Sequence, residues 1–273
     1  MSISFYLISI IIQKIIWYKM ISKKQFRRIN LSFSKVSLLF LVFLLSNTLL
    51  AKDPSWSIGA ISNYSTSLYK ETDGENKSFP LITYDSDTIF VKELGIGYHL
   101  LNGLDVSLIY KDSLFDPDDS NNNDIQQLNE RDAGVLLKGN LNLGLLKIEI
   151  GQDISGNYNG HYASAAIGAP LYIGSFIAVG AVKYIYNDQK RSEHLFSVSA
   201  QESALTGGTI AAHDIDSGTT AVSYGVRFIK PLTDRFKIIA GISHLRYHSD
   251  ITASPIVDKK YQNSINLIAA YAL

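Results

Sequence analysis

Cysteine does not occur anywhere in the 273 residues. In an exported chain that rules out disulfide stapling and thiolate metal sites, so stability has to come from the sheet and its surroundings. Acidic residues are missing from the first 51 positions, which hold seven basic ones: Lys14, Lys19, Lys23, Lys24, Arg27, Arg28 and Lys35. Of the 25 basic and 25 acidic residues in the whole chain, 18 and 25 therefore lie downstream, a net charge of −7. A net negative body makes a poor nucleic-acid binder, so no nucleic acid is expected among the partners. Also lacking is an apolar run long enough for a membrane helix: the run at 36–45 is about ten residues, where a spanning helix needs about 20.

What the prefix does contain is the pattern of an export signal: Lys23, Lys24, Arg27, Arg28 and Lys35, then the apolar run, then the small residue Ala51. Residues 20–51 read as a secretory signal peptide cleaved after Ala51, and residues 1–19 either as sequence ahead of the real translation start at Met20 or as a true extension. Residues 52–273 form the mature body.

That body is dominated by alternation. Thr220, Val222, Tyr224, Val226 and Phe228 point one way and Thr219, Ala221, Ser223, Gly225 and Arg227 the other; past the turn at 231–234, Phe236, Ile238, Ala240 and Ile242 resume the apolar face. Period two means strand, and here the larger apolar side chains share one face while charge and glycine share the opposite one. A sheet apolar outside and polar inside fits a closed barrel in a bilayer, because closure leaves no unpaired backbone edge in hydrocarbon. Further strands are expected at 55–64, 79–84, 88–100, 104–111, 131–140, 143–153, 161–169, 173–186, 194–200 and 261–273, giving twelve with the two of the hairpin. The expected fold is all-β, a transmembrane antiparallel up-and-down β-barrel of about 12 strands, surrounded by outer-membrane lipid. Trp56, Tyr64, Tyr84, Tyr98, Tyr110, Tyr162, Tyr172, Tyr184, Tyr186, Tyr247, Tyr261 and Tyr271 lie near strand ends as candidates for interfacial girdles.

Enzyme chemistry finds little support. His244 and His248 are four apart, but on a strand that is roughly 13 Å, too far for one ion. Ser243 and His244 are adjacent and so face opposite ways, and the set His248, Ser249 and Asp250 sits at a loop mouth without an oxyanion donor. Gly95-Ile96-Gly97 and Gly207-Gly208 precede no helix that would make a phosphate loop. No cofactor or metal is expected. The acidic and amide-rich stretch 116–132 has calcium-like ligands without EF-hand spacing, and reads as a solvated extracellular loop. On the polar face, Glu93, Asp105, Lys111, Lys138, Lys147, Glu149, Arg227 and Lys237 are candidate lumen-lining residues, able to neutralise one another or to line a narrow water path. A twelve-strand barrel lies between side-chain-filled and open types, so a narrow solute channel stands as the alternative function.

Three segments carry a resemblance: 152–160 (QDISGNYNG), 196–204 (FSVSAQESA) and 254–260 (SPIVDKK) at a fixed distance from the C-terminus. They are similar to the MipA/OmpV family of outer-membrane proteins, in register over essentially the whole mature chain, with a departure at Leu273 where the family ends in an aromatic residue. The resemblance implies a non-enzymatic outer-membrane barrel, either a scaffold linking a murein lytic transglycosylase to a penicillin-binding synthase or a surface-interaction protein. From the residues themselves, the loop with Ser254, Pro255, Ile256 and Val257 is expected to be extracellular and ordered, because two apolar side chains in a polar loop tip call for cover. They are expected to fold back and cap the lumen beside Tyr247.

Overall fold

A computed structural model describes residues 54–92, 94–112 and 115–273. Residues 1–51, where the signal peptide and the stretch ahead of Met20 are expected, and Glu93 lie outside the described residues.

The sheet is a closed antiparallel barrel of twelve strands in which each strand pairs with its sequence neighbours and β1 meets β12. The strands are β1 (Ser55–Ser65), β2 (Glu75–Asp85), β3 (Ile89–Lys92), β4 (Gly95–Leu101), β5 (Leu104–Lys111), β6 (Gly134–Leu143), β7 (Leu146–Asp153), β8 (His161–Ile173), β9 (Phe176–Asn187), β10 (Thr219–Pro231), β11 (Phe236–Tyr247) and β12 (Tyr261–Ala272). Most of the exposed large side chains on the strands, among them Ile58, Ile148, Ile150, Ile167, Val182, Tyr224, Ile242, Ile265 and Leu267, sit on one parity of the register, with Phe79 and Tyr172 on the other. The first parity is the lipid face. The opposite parity carries glycine, serine and charge, as an enclosed lumen requires.

The strand count agrees with expectation, yet two elements differ. The stretch expected as one strand at 88–100 is a hairpin: Lys92 pairs with Gly95, Phe90 with Gly97 and Ile89 with Tyr98. The stretch expected as a strand at 194–200 is helical, with α1 (Gln189–Phe196) and α2 (Ala200–Leu205). Asp188 caps α1 by accepting from the Arg191 N–H, and Ser199 with Glu202 forms a capping box on α2. Both are helix-start signals that outweigh the short alternation through Leu195, Phe196 and Val198.

The two ends of the barrel are unlike. At one end the connections are short, such as Asn102-Gly103, where Gly103 takes a left-handed φ of +82° that the tight turn demands. At the other, long segments join β1 to β2, β5 to β6, β9 to β10 and β11 to β12. In outer-membrane barrels the short turns are periplasmic and the long loops extracellular. The long loops share a core of Leu68, Tyr69, Phe115, Ile125, Leu128, Leu195, Phe196, Val198, Ile210, Ile215, Ile251 and Ile256. These residues come from four sectors of the rim, so they meet over the mouth. The loop containing 116–132 is thus not simply solvated: Ile125 and Leu128 are buried anchors, because a cap over a wide mouth has to bury apolar surface of its own.

Candidate functional site

Two regions combine buried charge with specific geometry, the lumen wall and the cap. In the lumen, Lys138 on β6 lies opposite Gly151, and Lys183 on β9 lies opposite Ala166. Small partners leave room for both long side chains to reach Glu149 on β7. The Glu149 carboxylate lies 3.2 Å from Lys138 Nζ and 3.7 Å from the Nζ atoms of Lys147 and Lys183, and the Tyr162 hydroxyl donates to it at 2.9 Å. A buried carboxylate needs such partners, since an isolated charge in a low-dielectric wall is expensive.

A second polar chain crosses β2 to β5. His99 Nδ1 lies 2.6 Å from Asp105 Oδ1, its Nε2 lies 3.0 Å from Asp85 Oδ1, and Lys92 Nζ lies 3.0 Å from Asp85 Oδ2. The rings of Phe90 and His99 are 4.7 Å apart, and Gly97 opposite Phe90 has no room for a Cβ.

Of the lumen candidates, Asp105, Lys138, Lys147 and Glu149 thus enter these two clusters. Lys111 ends β5, on the inward parity and opposite Gly134. Arg227 and Lys237 lie on the inward parity of β10 and β11, both exposed to the lumen. Asp85, Lys92, His99, Tyr162 and Lys183 were absent from the expected set. Lys183 was legible from the inward parity of β9, whereas Lys92 was hidden by reading 88–100 as one strand.

Of the aromatic residues named for the girdles, Trp56, Tyr64, Tyr84, Tyr98, Tyr110, Tyr184, Tyr186, Tyr261 and Tyr271 share the lipid parity. Tyr162, Tyr172 and Tyr247 have the opposite parity and point inward. Nearness to a strand end does not fix the face; parity does.

The cap is held by charge as well as by its apolar core. Arg131 Nη1 donates to Glu202 Oε1 at 2.7 Å, and its Nη2 donates to the Ser197 carbonyl at 2.8 Å. Both side chains are nearly inaccessible, at 8% and 5% exposure. Burial by itself would raise the Glu202 carboxyl; the Ser199 N–H and the Arg131 guanidinium outweigh it and hold the group below the usual glutamate value. His194 stacks on Tyr158 with ring centroids 4.6 Å apart. Burial, aided by the nearby Arg131 charge, pushes this imidazole below its ordinary value.

All three segments that carry the family resemblance converge here. In 152–160, Asp153 accepts N–H bonds from Ser155, Tyr158 and Asn159, and the Tyr158 hydroxyl accepts from Arg191 at 2.7 Å. In 196–204, the capping box presents Glu202 to Arg131. In 254–260, Ser254 Oγ donates to the Phe196 carbonyl at 2.6 Å, Ile256 is fully buried in the loop core, and Pro255 and Val257 are half-buried, with Val257 packed on that core. Tyr247 also packs against the core, its ring centroid 6.4 Å from that of Phe196.

Ser243 and His244 do face opposite sides of β11, and His244 bonds Asn263 at 2.7 Å. Ser249, His248 and Asp250 lie within hydrogen-bond reach of one another at an exposed loop. Among the described residues, no group of three or more histidine or acidic side chains is placed to hold a metal ion.

The architecture defines a class, an outer-membrane β-barrel with a loop-built cap. Residues 58–273 match the family described as MltA-interacting protein MipA, and the chain belongs to that family. It is 28% identical over 212 residues to YiaT of Escherichia coli (strain K12), named for the outer membrane, with 74% of this chain and 85% of the relative covered. To the MltA-interacting protein of the same strain it is 24% identical over 225 residues, covering 79% and 89%. Among solved structures, Ail of Yersinia pestis aligns over 81% of this chain and 97% of its own, at 12% identity and a TM-score of 0.26, too low to support any argument. The protein resides in the outer membrane.

Proposed function

We propose that this protein acts by contact, as a non-enzymatic outer-membrane scaffold whose periplasmic end docks a murein lytic transglycosylase and a penicillin-binding synthase, with lipid around the barrel. The observation that carries the reading is the cap: four long loops spend their apolar residues and a buried ion pair on closing the extracellular mouth. A pore built for traffic has no use for that expense of order. A relative 24% identical is named for its interaction with MltA, which supports the first partner. The second reading, a narrow solute channel, draws on the charged lumen around Glu149.

Planar-bilayer recording separates the two. The scaffold predicts silence from the mature protein, together with retention of the transglycosylase on the immobilised barrel. Steady ion-selective openings altered by Lys147→Ala or Glu149→Ala would replace it with the channel.

A further inference from the structure

Between β3 and β7 the lumen wall contains a cavity of about 190 Å³, lined by Lys92, Asp105, Ser107, Lys138, Asn140 and Lys147 among others. Ser107 and Asn140 are 3% and 8% exposed, and among the described residues neither Ser107 Oγ nor Asn140 Oδ1 has a hydrogen-bond partner. Most buried polar side chains in folded proteins are paired, so two adjacent orphans need a reason.

Three ammonium groups line the cavity with them: Lys92 is paired with Asp85 at 3.0 Å and Lys138 with Glu149 at 3.2 Å, while Asp105 is held by His99 at 2.6 Å and the Lys147 pair with Glu149 is long at 3.7 Å, so Lys147 is the least tightly held of the three. Lys92 and Lys147 keep 47% and 51% of their side chains exposed to the lumen. Their four-carbon stems can swing without moving the wall.

We propose that this cavity binds a small hydroxylated organic anion of about monosaccharide size. Its carboxylate or phosphate lies among the three lysines. Its hydroxyls donate to Asn140 Oδ1 and exchange a bond with Ser107 Oγ. The ligand enters from the periplasm, since Asp105 and Asn140 lie close to the short turns that follow β4 and β6 while the cap covers the other mouth. This site stands or falls independently of scaffolding, because the partner would touch the rim and the ligand the wall.

The test is titration calorimetry of the mature chain refolded in detergent at low salt, with glucuronate, glucose 6-phosphate, glucose and acetate as probes. At least one of the two sugar anions binds, and which one identifies the acidic group; glucose and acetate bind about tenfold more weakly or worse. Lys147→Met weakens the sugar anion by about tenfold, with Lys92→Met as the second variant if the first fails to fold, as judged by heat-dependent gel mobility. Absence of binding by both sugar anions, equal binding of glucose, or an affinity unchanged in the folded lysine variant overturns the proposal; the orphaned atoms then bond only to lumen water.

Discussion

Arg131 and Glu202 are the pair on which the cap turns, for their charges are out of water and are held by each other, by backbone groups, by the Ser199 hydroxyl on Glu202 and by the Phe115 ring beside Arg131. Removing one partner of a buried ion pair costs about 3–5 kcal/mol, because the other charge stays buried. Arg131→Met is expected to loosen the cap and leave the barrel intact. Limited proteolysis reads the first, as faster cutting within 188–218, and heat-dependent gel mobility the second. His194 gives the cap a pH dependence. Its folded value lies below the ordinary value of about 6.5, so the unfolded loop binds the proton more readily. Stability present above that pH is lost as pH falls through the window just below it. Glu202, also held low, contributes stability at neutral pH that disappears only below the usual glutamate value of about 4.3. Proteolysis of the cap should therefore accelerate in two stages on acidification, and His194→Gln should abolish the first; an unchanged first stage would refute the assignment.

At the scale of elements, the β3–β4 hairpin shows how one turn rewrites a face. In a continuous strand Lys92 and His99, seven apart, would point to opposite sides. With the chain reversing between Lys92 and its partner Gly95, both point into the lumen and share Asp85. Period two is reliable within a strand and says nothing about where a strand ends. Small residues are the other element-scale device. A Cβ on Gly151 would collide with the Tyr162 ring, whose hydroxyl bonds Glu149. Gly151→Val is expected to displace that ring and destabilise the barrel by about 1–3 kcal/mol, the usual cost of overpacking, seen as a lower unfolding midpoint in urea. The β11–β12 loop offers a third case. Lys70 N–H donates to the Ile256 carbonyl at 2.9 Å and Asp258 N–H to the Leu68 carbonyl at 3.1 Å. On intact cells, trypsin should cut after Lys259 or Lys260 more slowly than after Lys190, which is exposed on α1; equal rates would show that the loop is mobile.

For the molecule as a whole, closure satisfies every sheet edge while the cap decides what the lumen meets. Replacing 189–215 by a short Gly-Ser linker removes Leu195, Phe196, Val198, Ile210 and Ile215 from the loop core. The barrel, whose strands pair without that segment, should still insert. Planar-bilayer current should then appear where silence is expected of the intact protein; persistent silence would place the block within the lumen.

The sequence by itself determined the class of fold, since alternation of side chains along Thr220–Phe228, Leu104–Lys111 and Tyr261–Ala272 is a local property set by the strand's own pleat. It also marked Asp105, Lys138, Lys147, Glu149, Arg227 and Lys237 as inward, because parity alone settles that. Tertiary structure decided the rest. Which lysines reach Glu149 depends on cross-strand register and on small residues opposite them, and that register is set by pairing between strands. Whether His194-Leu195-Phe196 is strand or helix depended on caps at Asp188 and Ser199 and on a core supplied by Leu68, Phe115 and Ile256, far away in the chain. Such a core exists only after the strands have closed and brought their loops to one mouth.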